Sequence, residues 1–251
     1  MDILQVITQE LGVQKWQVEA AVKLIDEGNT IPFISRYRKE ATGTLNDEQL
    51  RNLNERLTYL RNLEDKKKQV LSSIEDQGKL TEELKAQILA AQTLVVVEDL
   101  YRPYRPKRRT RATIAKEKGL EPLANIIMLQ MTGKSIEEEA EAFVSEEKEV
   151  KNVKEAIAGA SDILAESVAD EADYRIRIRK MTVKSGSIVS SAKKESESSV
   201  YEMYYDFEEP ISKLAGHRVL ALNRGEKEKI LTVKINAPEE EILSWLKRQV
   251  I

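Results

Sequence analysis

Residues 46–74 read NDEQLRNLNERLTYLRNLEDKKKQVLSSI, and this stretch decides the fold. Leucines recur in its first half at spacings of three and four residues, which predicts one apolar face on a long helix. Asn46 and Asp47 are both good N-cap residues, so the helix is predicted to begin there. The same spacing, continued, places Glu64 and Lys67 on the apolar face, so the middle of the helix is expected to be solvated or bridged. The apolar residues of this face are Leu50, Leu53, Leu57, Leu60, Leu71 and Ile74.

The composition of the whole chain also favours helices. Aromatic residues make up 5% of the 251 residues and charged residues 33%, with only 10 Gly and 6 Pro. Strands prefer β-branched and aromatic side chains, so this mixture is typical of long helices. The best strand candidate is the segment 230–235, ILTVKI, whereas the valine-rich segment 94–101 is interpreted as a helix capped by Thr93. We expect a mainly α, multi-helical fold with a helix-turn-helix-like module and at most a short β element near residues 229–236.

Three regions are predicted along the chain. Residues 1–184 are expected to form a helical N-terminal region, whose helix-turn-helix-like module includes about residues 94–131. Residues 185–199 are rich in Ser, Gly, Lys and Glu and contain few large apolar side chains, which predicts a linker. Residues 200–251 are predicted to be the start of a following central region.

Several classes of protein are disfavoured by what the sequence lacks. Cysteine is absent, which excludes disulfides, thiolate zinc sites and a cysteine nucleophile. No apolar run approaches the ~20 residues that span a membrane. The first ten residues have neither the basic nor the long apolar region of a signal peptide. We therefore expect a cytoplasmic protein.

The most strongly charged part of the chain is the basic segment, which we define as residues 102–118. It contains eight basic side chains and one acid, whereas the whole chain has a formal charge of −3. A positive field concentrated on an acidic protein attracts phosphates or an acidic protein surface. The basic residues are Arg102, Arg105, Lys107, Arg108, Arg109, Arg111, Lys116 and Lys118.

Both partners of the basic segment remain open from the sequence. Pro103 and Pro106 hold the chain extended, and arginine binds phosphate in a bidentate manner, which favours nucleic acid. Tyr101 and Tyr104 would stack on bases. The competing partner within the chain is the acidic stretch 137–149, which contains seven glutamates and one lysine.

The helix-turn-helix-like module is a poor candidate for reading base sequence. A helix is predicted from Arg111 to Lys118, followed by a turn at Gly119 and a second helix that begins at Glu121. That second helix has almost no hydrogen-bond donors for base edges. We therefore expect contacts with the nucleic-acid backbone, without sequence preference.

Two smaller basic groups lie elsewhere in the sequence. Arg36 and Arg38, with Lys39, surround Tyr37, and a phosphate contact there is as plausible as salt bridges with Glu40. A third group precedes the predicted linker, and acids one turn away are its expected partners. Its members are Arg175, Arg177, Arg179 and Lys180, and the acids are Asp170, Glu171 and Asp173.

Catalysis has little support in the sequence. His217, the single histidine, is expected to be a packed or capping residue, and no Ser–His–Asp set can be argued around it. A carboxylate cluster (Asp206, Glu208 and Glu209) would suit a metal ion, but acids at a helix start explain it as well, because Pro210 follows. We expect no enzyme activity, no catalytic residue, no metal and no cofactor, with a metal-dependent nuclease as a weak alternative.

Long, unusual strings of sequence carry a resemblance to a known family. They are IPFISRYRKEATG at 31–43, EDLYRPYRPKRRTRATIAKEKGLEPL at 98–123, DFEEPI at 206–211 and GHRVLALNRG at 216–225. With these strings the sequence resembles the N-terminal region of the Tex family of bacterial transcription accessory proteins.

The resemblance implies a place in a large, modular cytoplasmic protein. Members of the family have a helical N-terminal region, an RNase-H-like domain, helix-hairpin-helix elements and a C-terminal RNA-binding β-barrel, and this chain is expected to stop before the RNase-H-like domain. The implied partners are nucleic acid, either RNA or DNA, the downstream domains and the transcription machinery, with no membrane. The alternative function is a protein-interaction or intramolecular docking scaffold that does not itself bind nucleic acid.

Overall fold

The computed structural model describes residues 2–193 and 199–251. It divides into two compact units, Met1–Tyr104 and Arg105–Ile251. A mainly α fold, as predicted, is present in both units. The residues 194–198 of the predicted linker lie outside the described part of the chain.

The first unit is built from six helices around one long central helix. They are α1 (Ile3–Leu11), α2 (Lys15–Asp26), α3 (Ile31–Tyr37), α4 (Asp47–Glu75), α5 (Glu82–Ala90) and α6 (Leu94–Tyr101). Helix α4 begins as predicted, with Asn46 accepting the backbone N–H of Gln49 at 2.8 Å and the Gln49 side chain accepting the N–H of Asn46. This capping box satisfies donors that the first turn would leave without a partner. The other five helices all contact α4.

The predicted apolar face of α4 forms the core of the first unit. Leu50, Leu53, Leu57 and Leu60 are between 0 and 2% exposed. Lys67 is buried in the same face, and its ammonium donates to Glu64 Oε1 and to the carbonyl of Leu89, each at 2.9 Å. The middle of the helix is therefore bridged rather than solvated. A buried lysine is tolerated there because both an opposite charge and a carbonyl satisfy its donors.

Among the described residues, the second unit begins with five helices, of which the fourth is central and contacts the other four. They are α7 (Arg111–Glu117), α8 (Glu121–Leu129), α9 (Ile136–Glu141), α10 (Val153–Asp170) and α11 (Ala172–Ser185). Gly119 joins α7 to α8 with a φ of 76°, a left-handed conformation that suits glycine. The turn lies close to α10, because a Cβ added to Gly159 would be 2.4 Å from Leu120 Cδ1.

A small antiparallel sheet follows in the second unit. Its strands are β1 (Ser187–Ala192), β2 (Asp206–Pro210) and β3 (Leu231–Asn236), in the order β2-β1-β3. The remaining helices are α12 (Gly216–Lys227), between β2 and β3, and α13 (Glu239–Val250). Strand β3 coincides with the predicted strand, and α6 is a helix, as interpreted from its valine-rich sequence.

Two strands were not expected from the sequence. Strand β1 lies inside the segment predicted to be a linker, and β2 covers Glu209-Pro210, where a helix was expected to begin. Their pairing explains both differences, because β1 has β2 on one side and β3 on the other, with Ile188 opposite both Glu209 and Ile235. Backbone pairing on both sides stabilises a strand in which half of the side chains are serines.

Candidate nucleic-acid interface

The basic segment continues from a short 3-10 turn (Arg102–Tyr104) through an exposed loop into α7. Thr110 caps α7, since its hydroxyl accepts the backbone N–H of Thr113 at 3.0 Å. The side chains of Arg105, Arg108 and Arg109 lie in the loop, and Arg111 opens the helix. Two prolines therefore restrict the backbone of this loop, and the Thr110 cap fixes where α7 begins.

Lys107 anchors this loop to α10. Its ammonium donates to Glu166 Oε1 at 2.6 Å and also to Asp170, and its side chain is only 27% exposed. Thr110 donates to the other oxygen of Glu166 at 2.8 Å. The hydrogen bond from Lys107 holds the pKa of Glu166 below its ordinary value. Burial acts to lower the pKa of Lys107, but the hydrogen bonds to Asp170 and Glu166 outweigh it and raise that pKa.

The acidic partner of Lys107 is a face of α10 rather than the acidic stretch 137–149. Asp162, Glu166 and Asp170 are four residues apart and so share one side of the helix. Arg111 Nε lies 3.5 Å from Asp162 Oδ1 in the same row. The stretch 137–149 meets the basic segment at Lys118, which donates to the backbone carbonyl of Glu149 at 2.8 Å.

Four other cations of the basic segment remain open to solvent, and we call Arg108, Arg109, Arg111 and Lys116 the open cations. Arg109 is 2.9 Å from Glu117 and Lys116 is 3.1 Å from Glu121. In both of these ion pairs, each of the two side chains is at least half exposed. Arg108 forms no ion pair within residues 2–193 and 199–251. Exposed ion pairs contribute at most about 1 kcal/mol, so a phosphate can compete for these cations. Arg102 and Arg105 are also exposed, and each interacts with another group of the protein.

Tyr101 and Tyr104 differ from the expectation that they stack on bases. Both rings pack against the core of the first unit. The hydroxyls of Tyr101 and Ser73 lie 2.9 Å apart, and Gln77 donates to the carbonyl of Tyr104 at 3.0 Å. Packing against the core covers much of each ring, so neither is an open platform for a base.

Helix α8 presents no cations to a ligand. Its exposed residues are Glu121, Pro122, Asn125, Met128 and Leu129, and its sequence, EPLANIIML, contains no lysine or arginine. The common base-reading side chains in a major groove are arginine, lysine, asparagine and glutamine. The helix-turn-helix-like module remains a prediction, and its second helix has the composition of a packing element.

Arg36 and Arg38 form a second basic surface, on the first unit. We define the Tyr37 patch as Phe33, Arg36, Tyr37, Arg38 and Lys39, all of which are exposed. The rings of Phe33 and Tyr37 are 5.3 Å apart, and the guanidinium of Arg38 lies 5.9 Å from the Phe33 ring centre. In the described ranges 2–193 and 199–251, neither Glu40 nor another carboxylate pairs with the three cations of the patch. The expected alternative, a salt-bridge cluster with Glu40, is therefore wrong.

The remaining candidates are dispersed. His217 is exposed in the first turn of α12, and the N-cap of that helix is Ala215, so the expectation of a packed or capping residue is wrong. Asp206 and Glu208 lie on one face of β2 and Glu209 on the other, where it accepts from Arg218 at 2.7 Å. In the third basic group, Arg175 donates to the carbonyl of Ala169 at 3.3 Å. Among the residues that the structure describes, no group of three or more His, Cys, Asp or Glu is placed to hold a metal ion.

No described helix is both long enough and apolar enough to cross a membrane. The fold and its surfaces thus define a mainly helical protein with two candidate groups of exposed cations among the described residues, the open cations and the Tyr37 patch.

Comparison with known proteins identifies the family. A family model described as Tex-like protein N-terminal domain matches residues 1–75, and one described as Tex central region-like matches residues 132–249. The chain belongs to the Tex family, as the resemblance predicted.

Relatives in bacteria and animals are similar over most of this chain. Uncharacterized protein YdcI of Bacillus subtilis (strain 168) is 48% identical over 250 residues, which are 98% of this chain and 35% of that protein. Transcriptional accessory protein Tex of Neisseria gonorrhoeae is 43% identical over 237 residues, 94% of this chain and 31% of that protein. S1 RNA-binding domain-containing protein 1 of Homo sapiens is 29% identical over 256 residues, 97% of this chain and 25% of that protein. The chain therefore spans about a third or less of the length of these relatives.

Proposed function

We propose that this chain is a helical part of a cytoplasmic transcription accessory protein and that it contributes nucleic-acid binding without sequence preference. The open cations carry this proposal, since they project from one short loop and helix and are held by weak surface ion pairs at most. The names of the Neisseria gonorrhoeae and human relatives, which mention transcription and RNA binding, support it.

The mode of binding follows from the chemistry of these side chains. Arginine presents a planar fork of donors that matches a phosphate, and three of the four open cations are arginines. Lys107 would hold the loop in place through α10 and would make no contact with the ligand. Since α8 has no cation, the phosphate backbone of RNA or DNA is the proposed ligand, and base sequence would have little effect.

The test is a binding titration of the 251-residue chain with a fluorescein-labelled DNA duplex and with a single-stranded RNA. If three or four phosphates are contacted, the slope of log affinity against log salt on duplex DNA should be roughly −3 to −4. A triple reversal, Arg108→Glu, Arg109→Glu and Arg111→Glu, should weaken binding to both ligands more than ten-fold.

A matched control reverses three exposed lysines on α4, α5 and the turn between them: Lys68→Glu, Lys79→Glu and Lys85→Glu. It changes the net charge by the same amount and should weaken binding far less. Equal affinity of the triple reversal and the parent chain would contradict the proposal. An equal loss in both triples would indicate only a general effect of net charge and would also contradict it.

The anchoring of Lys107 favours a second candidate, a docking scaffold. Glu166 and Asp170 already show that the basic segment can pair with carboxylates of a protein surface. In this case the open cations would engage an acidic protein surface, and the chain would bind neither duplex nor RNA even at about 50 mM salt.

We also propose that the chain is not an enzyme. Magnesium-dependent cleavage of RNA or DNA that is lost in Asp206→Asn would contradict this proposal.

A further inference from the structure

The Tyr37 patch combines open aromatic faces with cations that have no carboxylate partner. Tyr37 is 71% exposed and Phe33 is 38% exposed, although large aromatic side chains are usually mostly buried. Arg36 and Lys39 flank Tyr37 in sequence and are exposed as well. An exposed tyrosine among unpaired cations has no evident role in the packing of the first unit.

The backbone under this patch is firmly held. Thr42 is fully buried, and its hydroxyl lies 3.3 Å from the carbonyls of both Arg38 and Lys39. Gln17 donates to the carbonyl of Gly43 at 2.8 Å. Gly43 has a φ of 59°, and a Cβ on it would be 2.3 Å from the ring of Trp16. These contacts fix the loop after α3, so binding a ligand there requires little ordering of the backbone.

The cations of the Tyr37 patch differ from Lys107 in having no carboxylate beside them. At α10 the fold supplies two carboxylates to a single lysine of the basic segment. Around Tyr37 it supplies none to three cations, over the described residues 2–193 and 199–251. Arg38 instead lies near the Phe33 ring, a cation–π arrangement that leaves its N–H donors available.

We propose that the Tyr37 patch binds single-stranded nucleic acid, with a base stacked on Tyr37 and backbone phosphates on Arg36 and Lys39. An exposed aromatic ring with cations beside it is the arrangement that holds a single strand, since each base offers a π face and each linkage a charge. A duplex keeps its bases stacked inside and offers Tyr37 no face. The proposal rests on the proposed function only in that both ligands are nucleic acids; the residues belong to different compact units.

The experiment compares two ligands of about a dozen nucleotides, oligothymidylate and an abasic strand with the same number of phosphates. On the 251-residue chain, removal of the bases should weaken binding about ten-fold. The Tyr37→Ala variant should lose about ten-fold in affinity for oligothymidylate and should bind both strands equally. Tyr37→Phe keeps the ring and should remain within two-fold of the parent, and so should Leu220→Ala, which truncates a side chain that is 72% exposed on α12.

Thermal melts and a DNA duplex complete the design. Tyr37→Ala should melt like the parent chain, because the ring is largely exposed, and its affinity for the duplex should change less than two-fold.

If Tyr37→Ala binds oligothymidylate as tightly as the parent, the inference is wrong, and the proposed function still stands if the triple reversal of the open cations weakens binding. If Tyr37→Ala alone weakens binding, the inference stands and the proposed function fails. Absence of binding to every ligand at about 50 mM salt would contradict both the inference and the proposed function. Equal binding of an acidic peptide, with the same loss in Arg36→Glu and none in Tyr37→Ala, would assign the patch to a protein partner and overturn the inference.

Discussion

Nζ of Lys107 lies 2.6 Å from Oε1 of Glu166, which is 59 positions further along the chain. This contact joins the most basic part of the sequence to a helix that neutralises part of its charge. It also fixes a proline-containing loop at one point while the neighbouring arginines remain exposed. The positive charge of the basic segment is therefore divided between a structural role and an available surface.

Removing the Lys107 ammonium should destabilise the second unit. Lys107→Ala leaves Glu166 and Asp170 without their shared cation, and we expect the free energy of unfolding to fall by about 1–2 kcal/mol. Urea denaturation followed by the fluorescence of Trp245, in a Trp16→Phe background, reports on this unit. Arg109→Ala removes a pair whose side chains are 69% and 53% exposed, and its effect should be within about 0.5 kcal/mol. Similar losses in the two variants would argue against the anchoring role of Lys107.

The same contact predicts an acid-dependent loss of stability. The pKa of Glu166 is lowered in the folded chain, mainly by the hydrogen bond from Lys107. Its contribution is therefore present above the ordinary pKa of a glutamate and is lost as the pH falls through the lower, folded value. Urea denaturation of Glu166→Gln across the acid range should show a weaker pH dependence than the parent chain. Identical profiles would mean that Glu166 is not linked to folding through this pair.

Gly159→Ala should destabilise the second unit although alanine is the better helix former. A Cβ there would be 2.4 Å from Leu120 Cδ1 and 3.3 Å from the Cβ of Ala115, and Leu120 is buried. Overpacking of this kind costs about 1–3 kcal/mol, which exceeds the gain of about 1 kcal/mol from helix propensity. The matched control is Gly216→Ala at the start of α12, where a Cβ would meet nothing within 4 Å among the described atoms. Melting temperatures should fall for the first variant and stay near the parent value for the control.

Lys67 should be the most sensitive cation of the first unit. Lys67→Ala removes a side chain that is 2% exposed, leaves the Leu89 carbonyl without the ammonium that donates to it, and removes the cation beside Glu64, so we expect a loss of about 3 kcal/mol. Lys67→Met keeps most of the buried volume and should lose less. The fluorescence of Trp16 in a Trp245→Phe background follows this unit during urea denaturation. Equal losses for alanine and methionine would indicate that the charge alone, rather than the packing, matters.

The parts of the fold that were predictable are those governed by local pattern. The leucine spacing of α4 and the Asn46 cap specify that helix from its own sequence, and its register placed Lys67 on the apolar face while leaving solvation and bridging both open. Strand β1 has no such pattern, because Ser187, Ser190 and Ser191 give it little apolar surface. Its structure comes from β2 and β3, which pair with it from distant parts of the sequence.

The candidate sites, like the fold, combine features that the sequence predicts with one that only the packing reveals. The sequence indicated the open cations and the cations around Tyr37 as candidates, but it did not single out Phe33 and could not separate Lys107 from its neighbours. The signal for the anchor was present in the spacing of Asp162, Glu166 and Asp170 on one helix face. That signal becomes useful only once packing is known, because α10 meets α7 through contacts distant in sequence.

The sheet of the second unit has one further consequence. Within the described residues, β2 and β3 are its outer strands, so each has a row of backbone groups that another chain could pair with. Strand β2 carries the exposed Asp206 and Glu208 and ends at Pro210, which has no N–H, and β3 carries the exposed Lys234. Charges and proline at such borders hinder the addition of a foreign strand. Two of the three carboxylates that suggested a metal site from sequence, Asp206 and Glu208, are thus placed where they would hinder the pairing of another chain with β2.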